Sequence, residues 1–141
     1  MVLVRVVRED ISIDKVVEEM IKENSGKGCG ALAIFIGFVK DIVNGARVYS
    51  YGHVVEDVDK VVEELYEILD SEVCDDVPDA RIYFKIGEYR PSQILAYVFV
   101  IARDRHKAIE KLYRIIDRFK KETSITSVEL RENGRYVKGH S

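Results

Sequence analysis

An almost wholly apolar stretch bounded by glycines, GALAIFIGFVK, spans residues 30–40. Such a run suits a β-strand covered on both faces, so the rest of the chain has to provide layers above and below it. Two long amphipathic segments can do this. From Asp57 to Val73, the residues Val58, Val61, Val62, Leu65, Ile68 and Leu69 make one apolar stripe, with Glu63, Glu64 and Glu67 opposite. From 104 to 122, DRHKAIEKLYRIIDRFKKE turns Ala108, Leu112, Ile115, Ile116 and Phe119 to one side, with Asp104 placed to cap the helix.

The remaining segments are shorter. Residues 2–8 are β-branched and partly alternating and read as a strand; Ile13, Val16, Val17, Met20 and Ile21 recur at helical spacing until Gly26 and Gly28 end the helix. Asn44-Gly45 is a turn signal that reverses the chain into a strand over 46–54. Residues 80–89 and 93–103 read as two strands around RPSQ, and SITSVEL and GRYVKG flank RENG as a closing hairpin. The order β-α-β-β-α-β-β-α-β-β, without repeat, low-complexity segment or linker, predicts one α+β domain over residues 1–141, a mostly antiparallel sheet with three helices packed on it. The same order also suits a ferredoxin-like ligand-binding domain, so the fold class leaves function open.

At 141 residues and 47% hydrophobic, the chain can bury a core without a metal or disulfide staple. Lys and Arg total 22 against 25 Asp and Glu, a net charge of −3, which argues against a nucleic-acid or anionic-membrane partner while leaving room for a local basic pocket. No run is long enough to span a bilayer, and the charges in MVLVRVVREDIS interrupt what a signal peptide would need as a continuous apolar stretch, so a cytoplasmic location is expected. Cys29 and Cys74 are isolated and read as small, partly buried residues; no metal site or other cofactor is expected.

Several familiar chemistries are missing from the pattern. GKGCGA has three glycines but neither the preceding strand nor the following helix of a phosphate loop. His53, His106 and His140 do not assemble into a hydrolytic triad. What remains is a set of cations at element ends: Lys40 after the apolar strand, Arg103 and Arg105 where a strand turns into the long helix, and Lys120 and Lys121 at that helix's end. Positive side chains at the mouths of buried strands suit an anion pocket. Lysines at a helix C-terminus equally suit the helix dipole.

In order and spacing, GALAIFIGFVKD, NGARV, IGEYRPSQILAYVFVIARDRHKAIEKLYRIIDRFK and SVELRENGRYVKG resemble the large catalytic subunit of molybdopterin synthase, over residues 2 to 139. The resemblance implies an α/β hammerhead-type fold and a homodimer. Each protomer would receive the Gly-Gly tail of a small ubiquitin-like sulfur-carrier subunit, making a heterotetramer. Sulfur from the tail's thiocarboxylate would pass to cyclic pyranopterin monophosphate, giving the dithiolene of molybdopterin, with no metal or organic cofactor. Such chemistry asks for cations that bind the substrate phosphate and stabilise charge developing on the acyl group.

Carried over by position, the resemblance makes Lys120 the catalytic lysine and Lys40, Arg105, Arg103 and Lys121 substrate-binding. Lys40 stands where the family strand ends in arginine, keeping the charge without the bidentate fork. Asp104-Arg105 stands for a His-Arg pair, and His106 lies about 200° around the helix from position 104. In SITSVE, Ser124 replaces a proline, Thr126 a tryptophan and Ser127 the family's second lysine, while Glu129 is kept. Lys121, about 100° from Lys120, and Lys138 are the substitutes at hand. Phe84-Lys85 replaces a His-Arg pair and Tyr136 a tryptophan. The expectation is a divergent synthase; the alternative is a relative that keeps the dimer and the tail groove without sulfur transfer.

Overall fold

A computed structural model describes residues 1–139; His140, and with it the last position of the expected domain, lies outside the described residues. The chain runs β1 (Val2–Val6), α1 (Ile13–Glu23), β2 (Ala31–Phe38), β3 (Ile42–Val43), β4 (Ala46–Val54), α2 (Val58–Glu72), β5 (Asp79–Phe84), β6 (Gly87–Tyr89), β7 (Ile94–Ala102), α3 (Arg105–Lys121), β8 (Thr126–Arg131) and β9 (Gly134–Lys138). All three expected helices are present, and each starts at an acid or hydroxyl that caps it. Ser12 accepts from the Lys15 N–H, Asp57 from Lys60 and Asp104 from Lys107.

The strands divide between two sheets. The first has the order β1-β5-β7-β2, with β1 parallel to β5 and the other pairs antiparallel. One face carries Ile82, Phe84, Val98 and Val100 against α2 and α3; the other carries Tyr83, Tyr97, Phe99 and Ile101 against Val16 and Met20 of α1. The strand covered on both faces is therefore β7, buried from Leu95 to Ala102. The apolar run at 30–40 becomes β2, an edge strand, and its expected double cover is corrected: Ile34, Ile36 and Phe38 are exposed. The physical reason is reach, since an eleven-residue α1 is only about 16 Å long and leaves the far edge of the sheet open.

The second sheet joins β3, β4, β8 and β9 in that order, with β6 also pairing with β4. Residues 80–89, expected as one strand, break after Phe84. Gly87, at φ 107°, turns the chain out of the first sheet, and β6 pairs with β4 in the second. Asn44 (φ 50°) and Gly45 (φ 80°) form the expected tight reversal between β3 and β4, both in the left-handed region that a primed hairpin turn requires. The closing hairpin is also as expected, β8 pairing with β9 from Ser127↔Lys138 to Arg131↔Gly134. Among the described residues, no helix is long and apolar enough to cross a membrane.

Candidate active site

The segment FKKETSITSVE joins α3 to the second sheet. Thr123 ends the helix by donating its hydroxyl to the Phe119 carbonyl at 2.8 Å. Ser124 then ties the connection to α2: its N–H and its hydroxyl both donate to Glu64 Oε1, at 2.9 and 2.6 Å. Two short side chains with hydroxyls thus hold the turn that aims Lys120 on one side and Ser127 on the other.

Between the sheets lies a cavity of about 540 Å³. Its walls are the ends of β2 and β7, the last turn of α3 and one face of β4, β8 and β9. Most of the β2, β7 and α3 lining is apolar, from Phe35, Leu95, Val98, Ile116 and Phe119. Apart from Lys40 and Lys120, the polar groups come from the second sheet, where pairing sets them in rows. His53 lies opposite Ser127, which lies opposite Lys138; Tyr51 lies opposite Glu129, which lies opposite Tyr136. Because side chains alternate along a strand, these two rows face the same way, into the cavity.

Of the sequence-expected residues, Lys40 and Lys120 line this cavity, and so does Lys138. Three lysines from just after β2, the end of α3 and β9 therefore line one cavity. Lys121 turns away and pairs with Asp117 one helical turn back, at 3.0 Å, a contact that raises the pKa of its exposed ammonium. Arg103 pairs with Asp76 at 3.3 Å and donates to the Lys27 carbonyl, fastening the glycine-rich loop after α1. Arg105 opens α3, so fifteen residues of helix, about 22 Å, separate it from Lys120. The cavity of one protomer does not include Arg103, Arg105 or Lys121 among its lining residues.

Two groups that sequence reasoning did not single out complete the site. Arg131 pairs with Glu129 and lies 3.7 Å from the centre of the Tyr136 ring, so the Tyr51–Glu129–Tyr136 row is held rigid by a cation against an aromatic face. His53 is 6% exposed. Its Nδ1–H donates to the Lys85 carbonyl at 2.9 Å, an assignment made from the acceptor, and this leaves Nε2 as a lone pair. Burial pushes the His53 imidazole below its ordinary pKa of 6.5, the bond to Lys85 pulls it back, and the charge of Lys120 lowers it further. Phe119 packs against the ring at 6.0 Å between centroids.

The arrangement defines a class: a two-sheet α+β domain with a partly open, largely apolar cavity lined by lysines and by a buried imidazole. Comparison with known proteins makes the class specific. The model of the MoaE protein family matches residues 6–122. A curated relative, the molybdopterin synthase catalytic subunit of Pyrococcus abyssi, is 30% identical over 122 residues, 85% of this chain and 81% of that one. The chain belongs to the MoaE family. Solved structures share the fold: a molybdopterin biosynthesis MoaE protein from Burkholderia ambifaria superposes with a TM-score of 0.80 at 20% identity, covering 99% of this chain and 90% of that one. Molybdopterin synthase from Staphylococcus aureus gives 0.78 at 22%, covering 96% of each. A complex of subunits 1 and 2 of molybdopterin-converting factor from Helicobacter pylori gives 0.70 at 16%, covering 94% and 87%.

Proposed function

We propose that this chain is the catalytic large subunit of a cytoplasmic molybdopterin synthase, moving sulfur from the C-terminal thiocarboxylate of a small ubiquitin-like subunit to cyclic pyranopterin monophosphate. The observation that carries the reading is the meeting of Lys40, Lys120 and Lys138 on one cavity in a member of this family. A cyclic phosphate is an anion, and ammonium groups at a rim whose walls are apolar attract it more strongly than they would in open water. The Gly-Gly tail, lacking side chains, suits entry into a narrow space between two sheets.

In this reading Lys120 donates to the acyl oxygen as negative charge develops there, and Lys40 neutralises the phosphate. Lys138 takes the place of the family lysine that Ser127 lacks, since it is the residue directly across the sheet from Ser127. Arg105 enters only through a second copy of the chain, because its own protomer's cavity is a helix length away. A homodimer in which the start of one α3 reaches the other's cavity would bring it in. Arg103 and Lys121 pair with Asp76 and Asp117 and do not line their own protomer's cavity, so this reading gives them no role within one protomer.

The test is turnover with the thiocarboxylated small subunit of the same source and cyclic pyranopterin monophosphate, molybdopterin being read as its fluorescent oxidation product. Product formation by the wild-type protein, with a loss of at least about 100-fold in Lys120→Ala, is expected if Lys120 stabilises the acyl oxygen. The replacement of the second family lysine by Ser127 favours one other reading, a relative that binds the small subunit without transferring sulfur. A measurable complex with no product from wild-type protein would decide for it.

A further inference from the structure

The cavity's lysines bring only donors, and Glu129, its carboxylate, is engaged by Arg131. The transfer read above needs an acceptor as well. When a thiocarboxylate sulfur attacks the pterin, the tail's carbonyl carbon remains joined to the product through sulfur. Freeing the small subunit requires water to attack that carbon, and water attacks well only when a neighbouring base takes its proton.

We propose that His53 is the general base for this hydrolytic half of each sulfur transfer. The inference rests on the synthase reading. His53 lines the cavity from β4, opposite Ser127, and its Nδ1–H is committed to the Lys85 carbonyl, so Nε2 is the nitrogen left for the cavity. The ring is fixed in place by that bond and by Phe119 and Tyr51, at 6.0 and 6.1 Å between centroids. Burial together with the nearby Lys120 favours the neutral imidazole, which is the form a base requires.

The step balances without any oxidant or reductant. A water O–H bond breaks and its proton goes to Nε2, while the oxygen forms a bond to the acyl carbon, whose developing oxyanion faces Lys120. The carbon–sulfur bond then breaks with its electron pair on sulfur, which stays on the pterin as a thiolate, and the small subunit leaves as a carboxylic acid that gives its remaining water-derived proton to solvent and becomes a carboxylate. The imidazolium returns its proton to that thiolate or to solvent. Ser127, directly beside His53 in the neighbouring strand, leaves room for the water where a lysine would fill the space.

The experiment is a single turnover with stoichiometric thiocarboxylated small subunit, using wild type, His53→Asn and His53→Gln. Asparagine keeps a donor for the Lys85 carbonyl and removes Nε2. Product is followed by fluorescence and any covalent adduct of small subunit and pterin by intact-protein mass. We expect His53→Asn to form product about 100-fold more slowly, the usual scale for loss of a general base, and to accumulate the adduct. The wild-type rate should fall toward acid pH, and that acid limb should be missing in His53→Asn. The charged and titratable groups sharing the cavity with the ring, Tyr51, Lys120, Glu129, Arg131, Tyr136, Lys138 and Lys40, stay the same in both proteins, so the missing limb reports on His53. Product formation by both variants within about threefold of wild type would overturn the proposal and leave the synthase reading standing, as would slow turnover with no adduct and an unchanged acid limb. Absence of product and adduct from wild type would overturn the synthase reading, and this proposal with it.

Discussion

Gly52 shows how much one missing side chain can decide. It sits in β4 opposite Glu88 of β6 and opposite Val128 of β8, and a Cβ placed on it would lie 2.3 Å from the Gly87 carbonyl oxygen and 2.9 Å from the Glu88 Cα. Both obstacles are backbone, so they cannot rotate aside. Gly52→Ala should therefore push β6 off β4 and cost about 1–3 kcal/mol in a denaturant titration, the range of overpacked cores. A change within about 0.5 kcal/mol would mean that β6 can slide freely. Its neighbour His53 illustrates what single residues hide in a sequence. Nothing in YSYGHVV separates a cavity imidazole from an ordinary strand residue, because its role comes from a carbonyl 32 positions away and a lysine 67 positions away. Lys120 and Lys40 stood out as cations at the ends of apolar elements and do line the cavity, but the same signal also picked out Arg103, Arg105 and Lys121, which do not. Lys138 became legible only through the register that sets it beside Ser127.

The helices were legible in their periods, yet the strongest contact between two of them was concealed by the same code. Glu72 falls on the stripe of Val61, Leu65, Ile68 and Leu69, a spacing that buries it to 2% exposure. There it accepts from three cations on α3: Lys111 at 3.1 Å, Arg114 at 2.9 Å and Arg118 at 3.0 Å. Burial alone would raise its pKa; bonds to Arg114, Lys111 and Arg118 outweigh it and take the carboxyl from its ordinary 4.5 down to about 2. The unfolded chain thus binds this proton at a higher pH than the folded one. The stabilisation is fully present above about pH 5, and is lost as pH falls from 4.5 toward 2; a shift of that size amounts to about 3 kcal/mol. Glu72→Gln should be less stable at pH 7 and should lose much less on acidification. Equal acid slopes for the two proteins, by urea unfolding at pH 6 and pH 3, would show that the clamp contributes no linkage. The clamp has a functional side, because it orients α3, whose last turn presents Lys120 to the cavity.

At the scale of the molecule, pattern reading reached the class and the three helices in their places among the strands, but it missed the short strands β3 and β6 and expected one sheet where there are two. The division turns on Gly87, whose left-handed backbone moves the chain from one sheet to the other, and a single glycine between two apolar strands does not announce that. The consequence is large, since the cavity lies between the two sheets, and its polar lining apart from Lys40 and Lys120 belongs to the second. The same geometry bears on Arg105. A chain with a net charge of −3 has no general attraction for an anion, so each cation at the cavity counts, and Arg105 stands about 22 Å from Lys120 on its own helix. If two protomers share each site, the Lys120→Ala and Arg105→Ala proteins should each be impaired in different halves of it. Unfolding and refolding the two together would then give mixed dimers with one intact site, restoring about a quarter of wild-type turnover after random pairing. Mixing without recovery, in a preparation shown by mass to contain mixed dimers, would confine the site to one chain and leave Arg105 as a helix-start residue with no part in the chemistry.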